Sequence, residues 1–501
     1  MIEILTPQEM AEADRLTIAA GTPGIELMER AGAAVARVAA EEAKSGRRIA
    51  IVCGPGNNGG DGFVAAHLLA EQGFDVHLSL LGSREKLQGD AAKAAARWSG
   101  KIEAFGDDAL AHADLIIDAL FGAGLARDLS GDAKRAVEAI NAAKIPVVAI
   151  DLPSGIDGAS GKVRGVAVRA AHTVTFCRMK PAHLLMPGRI HAGKITIADI
   201  GIPDRIVTDV AGGISLNTPD VWIGAYPWPR IEGHKYKRGH AVVVSGPAHA
   251  TGAARLAAKA ALRAGAGLVT VAAPKAALPM LSASLEAVMV REASGTAGLK
   301  KLLADERLNA VLLGPGNGVG KATKAAVEAA ANAKRALVLD ADAISSFTRE
   351  SGKLAKLLKL NRIQALLTPH DGELAKLFAS DSAQVLALES KIEKARAAAK
   401  LLGAVVLLKG PDTVIAAPDG RATISNNAPP WLATAGAGDV LAGISVGLIA
   451  QGMPVFEAAC ASVWLHGEAA NEAGFGMTAE DLEPALKPVL AQLYEAFGPA
   501  S

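Results

Sequence analysis

Apolar positions follow two rhythms along the chain. Over residues 8–43 they recur every third or fourth position, in PQEMAEADRLTIAA and again in GIELMERAGAAVARVAAEEA. That spacing predicts two amphipathic helices. Beyond residue 47 come short, almost continuous apolar runs: IAIVC (49–53), DVHLSLL (75–81), ADLIID (113–118), IPVVAID (145–151), then HTVTFC and KITIADIG. Helical stretches separate them. Strands without polar alternation, interleaved with helices, predict a parallel sheet covered on both faces. The rhythm breaks over residues 213–239, where proline, tryptophan and glycine cluster, and a second series follows: HAVVVSG, GLVTVAAP, AVLLG, RALVLDADA, QALLTPH and AVVLLKG. TVIAAPDGRATIS (413–425) reads as a hairpin on a Pro-Asp-Gly turn. Three helical segments close the chain. The expected fold class is therefore α/β in two domains, 1–215 and 216–501, the first a Rossmann-like three-layer domain.

Composition narrows the picture. With 501 residues, two or more domains are expected. A net charge of +1 and 4% aromatic residues leave little to attract nucleic acid or stack its bases. The long uncharged stretch over residues 440–456 holds four glycine or proline residues and reads as a buried helix, not a membrane span. The start MIEILTPQEM has no secretory h-region. Three scattered cysteines, Cys53, Cys177 and Cys460, form no disulfide framework or zinc motif, and a cytoplasmic setting is the simplest.

Candidate chemistry gathers at the carboxyl ends of predicted strands, where open parallel sheets bind ligands. The first series offers GPGNNGGDG (54–62) with Asn57, Asn58 and Asp61, IIDALFGAGL with Asp118, and AIDLPSGIDG with Asp151, Ser154 and Asp157. Gly54, Gly56 and Gly59 match the dinucleotide fingerprint, yet the acid that should end the second strand to bind a ribose is missing. Asp75 begins that strand, and Arg84 is nearest its end. An ordinary NAD dehydrogenase is disfavoured. Hard oxygen ligands from Asn58, Asp118 and Ser154 suit a cation, and their low formal charge favours a monovalent one.

In the second series TAGAGDVLAG (434–443) frees the backbone before a helix, so that Gly438 and its neighbours can cradle a phosphate while Asp439 accepts a proton from an attacking hydroxyl. LLKGPDTVI brings Lys409, LLGPGNG brings Gly316, TPHDGE brings His370 and Glu373, and VLDADA brings Asp340. The TAGAGD run resembles the signature of the ribokinase-like superfamily.

Taken in order over the whole chain, these motifs, with HATGAARLAAKAALRAGAGLVTVAAP and PPWLATAGAGDVLAG, resemble those of the bifunctional NAD(P)H-hydrate repair enzymes. In that family an epimerase domain precedes a ribokinase-like dehydratase domain. The resemblance implies epimerisation of the R and S hydrates of NADH and NADPH by residues 1–215. It implies ADP-dependent dehydration of the S hydrate by residues 216–501, giving AMP and phosphate. It further implies that Asn57, Asn58, Gly59, Gly60, Asp61, Gly122, Ala123, Gly124, Leu125, Ala126, Arg127, Asp128 and Asp151 contact the hydrate in the first domain, and that Asn58, Asp118 and Ser154 hold K+. In the second domain Ala253, Gly316, His370 and Asp439 would bind the hydrate. Lys409, Gly410, Pro411, Asp412, Thr413 and Gly438 would bind the adenine nucleotide with its Mg2+. Asp151 and Asp439 are the expected acid/base groups. Arg127 is a bulky charge in a segment expected to meet the dinucleotide. A homo-oligomer is expected, with no membrane or nucleic-acid partner. Two rivals share the second-half motifs: a small-metabolite kinase with an N-terminal regulatory domain, and a nucleotide sensor without turnover.

Overall fold

Alternate residues of the strand Arg48–Cys53 face two different cores. Ile49, Ile51 and Cys53 pack with Leu27, Val35, Phe63 and Leu69, from the helices Gly24–Ala43 and Asn57–Glu71, while Ala50 and Val52 pack with Val137 and Ile140 of the helix Gly131–Ala143. A strand buried on both faces must be apolar throughout, which is why the run lacks alternation. This is seen in a computed structural model that describes residues 2–43, 46–106, 108–379 and 382–499.

The chain divides between Ile214 and Ser215 into two compact units, apart from Ile2, which groups with the second. The first unit holds β1 (Arg48–Cys53), β2 (Asp75–Leu80), β3 (Ile102–Ala104), β4 (Leu115–Ala119), β5 (Val147–Ile150), β6 (His172–Phe176) and β7 (Lys194–Ala198). All pair in parallel, in the order β3-β2-β1-β4-β5-β6-β7. The order reverses between β1 and β4, the switch point where a doubly wound sheet opens a ligand crevice.

The remaining strands are β8 (Ile214–Leu216), β9 (His240–Val244), β10 (Leu268–Ala273), β11 (Met289–Glu292), β12 (Ala310–Leu313), β13 (Ala336–Leu339), β14 (Ala365–Leu367), β15 (Val405–Leu408), β16 (Val414–Ala416) and β17 (Ala422–Ile424). The second sheet runs β11-β10-β9-β12-β13-β14-β15-β16-β17-β8, with its switch point between β9 and β12. Pairing is parallel from β11 to β15 and antiparallel in the hairpin β16–β17. The uncharged run becomes part of the helix Ala437–Ala450, buried almost throughout. Among the described residues no helix is long and apolar enough to cross a membrane. The three cysteines are free and buried.

Candidate active sites

Beyond the switch point of the first sheet lies a cavity of about 680 Å3. The glycine run enters it as the start of a helix. The helix begins at Asn57, with Gly56 as a cap that offers no side chain, so NNGGDG forms its first turns and Asp61 lies inside it. The Gly60 N–H donates to the Gly56 carbonyl (3.1 Å). A Cβ on Gly59 would stand 1.9 Å from the Gly54 carbonyl oxygen, and one on Gly60 would meet Met28. These two glycines let the helix start lie against β1 and the helix Gly24–Ala43. Asn57, Asn58, Asp61, Gly122, Ala123, Gly124, Leu125, Ala126, Arg127 and Asp151 line the cavity, whereas Gly59, Gly60 and Asp128 are outside its lining.

Asp118, next to last in β4, is fully buried. It accepts from the Ser154 N–H (2.8 Å), the Ser154 hydroxyl (2.6 Å) and the Leu120 N–H (3.2 Å). Burial raises its carboxyl to about 6, against the pull of those hydrogen bonds. Among the described residues no cation pairs with it, and the buried amide nitrogen of Asn58 has no partner. An orphaned buried amide beside the cavity is the kind of group a ligand satisfies.

Asp151 follows β5 in a left-handed conformation, φ 63°, which costs on the order of 1–3 kcal/mol in a residue with a Cβ. Two backbone hydrogen bonds hold it there. Its N–H donates to Val174 O (2.7 Å), and its carbonyl accepts from His183 Nε2 (2.8 Å). His183 Nδ1 accepts from the Lys180 N–H (2.8 Å), which fixes the tautomer. Burial, then the Lys180 charge, lowers His183 to about 4, so the ring is neutral near pH 7. The Asp151 carboxylate accepts from the Ala123 N–H (3.0 Å) and the Thr175 hydroxyl (3.0 Å), and lies 2.7 Å from Lys180 Nζ. Burial pushes this carboxyl up, but Lys180 more than offsets that and holds it below the usual carboxylate range. Asp151 is therefore an ionised base near neutrality.

Sequence reasoning overlooked Lys180. The lysine belongs to no motif. It does follow β6, the neighbour of β5, so the strand-end rule that found Asp151 could have found it. Asp157, in contrast, is a framework residue, paired with Arg164 at 2.6 Å. Asp75 starts β2 with its carboxylate 3.0 Å from His77 Nε2, and β2 ends on Leu80, so no acid stands where the fingerprint needs one.

The second sheet gathers charge at the same edge. Lys409, after β15, lies 2.8 Å from Asp340 Oδ1, after β13, and 3.9 Å from Glu373 Oε2. Asp340 also accepts from the Thr368 hydroxyl (2.8 Å). Gly438 opens toward this cluster, the Lys409 ammonium being 3.8 Å from where its Cβ would be. Burial raises the neighbouring Asp439 to about 6; Asp340 adds to the rise and Lys409 opposes it. The helix carrying Asp439 is set by close packing. Cβ atoms on Gly443 and Gly447 would stand 2.3 and 2.6 Å from the carbonyl oxygens of Ala257 and Ala261, on the helix Gly252–Arg263.

The other predicted residues serve local structure visibly. His370 caps the helix Asp371–Leu377, its Nδ1 accepting from Gly372 N–H (3.0 Å) and Glu373 N–H (3.3 Å), with its Nε2 3.7 Å from Glu373 Oε1 and its side chain exposed. Gly410 and Thr413 close a turn through the Thr413 hydroxyl, which donates to Gly410 O (2.8 Å). Asp412 pairs with Lys391 at 2.6 Å, a lysine that sequence reasoning did not single out. Gly316 sits in the left-handed region, φ 67°, against Ala250, and Ala253 lies in the first turn of its helix.

Comparison with known proteins covers both units. A family model described as YjeF-related protein N-terminus matches residues 24–182, and one described as NAD(P)H-hydrate dehydratase matches residues 241–487. The bifunctional NAD(P)H-hydrate repair enzyme of Moorella thermoacetica is 36% identical over 98% of this chain and 97% of its own. That of Thermofilum pendens is 36% identical over 94% and 93%. Among solved structures, an ADP/ATP-dependent NAD(P)H-hydrate dehydratase from Bacillus subtilis, co-crystallized with ATP/Mg2+, is 28% identical. It covers 55% of this chain and 98% of its own, with a TM-score of 0.47. With identity above 30% along nearly its whole length, the chain belongs to the family of bifunctional NAD(P)H-hydrate repair enzymes.

Proposed function

We propose that the chain repairs hydrated NADH and NADPH. Residues 1–215 interconvert the R and S hydrates. Residues 216–501 dehydrate the S hydrate with ADP, giving NAD(P)H, AMP and phosphate. The observation that carries this reading is end-to-end similarity to relatives named for that repair, joined to a carboxylate-bearing cluster beyond the carboxyl ends of strands in each sheet.

In the first unit the uncapped start of the helix Asn57–Glu71 presents backbone N–H groups to an anion. With exposed Arg127 it would receive dinucleotide phosphates. Asn58, Asp118 and Ser154 would hold K+ through their side-chain oxygens, which fits a buried carboxylate without a counter-ion among the described residues. The ion would neutralise that carboxylate and help fix the dinucleotide. Asp151, ionised beside Lys180, would take and return the proton during C6 inversion.

In the second unit the hydroxyl on C6 of the nicotinamide ring attacks the terminal phosphate of ADP, and Asp439 takes its proton. The helix start around Gly438, with Lys409, stabilises the developing charge. AMP leaves. The ring nitrogen lone pair then expels phosphate from C6, and loss of the C5 proton restores the dihydropyridine. Among the described residues no group of three acidic, histidine or cysteine side chains is arranged for a metal. Mg2+ would therefore travel on the nucleotide phosphates, easing phosphoryl transfer.

Incubating the chain with acid-generated NADH hydrate and ADP, and following 340 nm absorbance with product analysis, tests the reading. Reduced cofactor, AMP and free phosphate are expected. A stable phosphorylated product would point to a kinase instead, and ligand binding without turnover to a sensor.

A further inference from the structure

We propose that Asp14, which no motif marks, is the acid of the epimerase reaction, giving its proton to the departing C6 hydroxyl across the cavity from Asp151 and Lys180. The inference rests on the reading of residues 1–215 as an epimerase.

Asp14 comes from the helix Pro7–Ala19 and lines the same cavity as Asp61, Asp151 and Lys180. Its helix neighbours are engaged elsewhere: Glu9 completes the capping box with Thr6, and Glu12 pairs with Arg15 at the surface. Asp14 itself makes no hydrogen bond or ion pair among the described residues. A carboxyl that half-faces a cavity yet serves no framework contact is free for a ligand.

The charge balance determines its form. Three carboxyls, Asp14, Asp61 and Asp151, face the one ammonium of Lys180, which is held by Asp151 at 2.7 Å. Like charges sharing a desolvated site cannot all ionise, so the carboxyls without the lysine take protons. Burial raises Asp14 to about 6, Lys180 opposing and Asp151 adding to the rise. Asp61, deeper, is pushed well above the ordinary range, first by burial and then by Asp151 and Asp14. Asp61 is buried inside its helix, 8% exposed, whereas Asp14 is half-exposed at the cavity, which selects Asp14 over Asp61 as the group that meets the hydrate. Other titratable groups around this helix are Cys177, a thiol pushed up first by burial and further by Asp14, Arg178, bound to Glu3 and Asp204, and Asp204 itself, on the packed helix Asp204–Val210.

The step balances without a co-reactant. The Asp14 proton goes to the C6 hydroxyl, the C6–O bond breaks and water leaves with its electron pair. The ring nitrogen lone pair closes a C=N+ bond, whose positive charge the Asp151 carboxylate stabilises. Water adds back to the other face of C6, Asp151 takes its proton, and exchange with solvent returns Asp14 to its protonated form and Asp151 to its ionised form.

The test follows R-to-S conversion of purified R hydrate by chiral chromatography over about pH 5 to 8, above the uncatalysed rate and normalised to ADP-dependent dehydration by the same preparation. The acid form of Asp14 exists below about 6, so wild-type kcat should fall on the alkaline side of that value. Asp14→Asn should lower kcat about 100-fold with little change in KM and abolish that alkaline limb. Asp14→Glu should restore part of the rate with a displaced limb. An Asn variant with near-normal kcat, or one that keeps the wild-type limb, overturns the proposal. If Asp14→Asn no longer binds hydrate, Asp14→Glu decides, and an unmoved limb overturns it. A wild-type chain that dehydrates S hydrate but never interconverts the two forms removes the epimerase reading itself, and this proposal with it.

Discussion

Asp151 and Asp439 are carboxylates at sheet edges, and their surroundings set them at opposite poise. Asp151 has a buried ammonium at 2.7 Å and stays ionised well into acid. Asp439 lies near both Asp340 and Lys409, whose effects oppose each other, so burial prevails and raises it to about 6. A base must be deprotonated. Dehydration should therefore decline as pH falls through about 6, and a kcat profile of the 340 nm reaction flat down to pH 5 would exclude Asp439 as that base. Asp439→Ala should abolish ADP-dependent recovery of absorbance and leave R/S interconversion intact. For Asp151 the expected effect is on both rate and stability. Asp151→Asn should slow interconversion and leave Lys180, 1% exposed, as a buried charge without its partner, a loss of about 3–5 kcal/mol in the first unit. Adding Lys180→Met should recover part of that loss in denaturant unfolding, and a double variant less stable than Asp151→Asn alone would show that the pair is not the source. The asymmetry between the two acids was only half legible in the sequence. Each carboxylate could be found from its strand or helix end. The partner that ionises Asp151 could not, because 29 positions separate them and only the β5–β6 pairing brings them together.

At the level of elements, strands buried on both faces were readable because burial requires continuous apolar runs. β3 and β11 went unread for the same reason inverted: they lie at sheet edges, half exposed, and IEA and MVRE carry no such run. The glycine-rich stretches were legible as helix starts with a freed backbone, but the close packing that some of them serve was not. Gly59 meets the Gly54 backbone, and Gly443 meets Ala257. Gly443→Ala separates helix propensity from packing. Alanine favours a helix interior by about 1 kcal/mol. Its Cβ would stand 2.3 Å from the Ala257 carbonyl oxygen, a backbone atom that cannot swing away. Overpacking of this kind costs about 1–3 kcal/mol and should outweigh the gain. The unfolding midpoint of the second unit should fall, and kcat of dehydration with it, since the same helix carries Asp439. A raised midpoint would mean that the two helices separate freely.

At the level of the whole molecule, each unit has its own sheet, switch point and acid/base groups, and no catalytic residue proposed for one comes from the other. The two reactions are then linked only by the hydrate they share, which can be tested by complementation. Supplied with a mixture of R and S hydrates and excess ADP, Asp151→Asn should consume the S form quickly and then slow to the uncatalysed rate of interconversion. Asp439→Ala should equilibrate the two forms and restore no reduced cofactor. Mixing the two variant chains should bring consumption to completion, because R hydrate inverted on one chain can diffuse to the second unit of another. The rate of the mixture should rise with the amount of either chain until the other limits it. If the mixture stalls where Asp151→Asn alone stalls, the hydrate does not pass between chains, and the two units must act on it within a single chain.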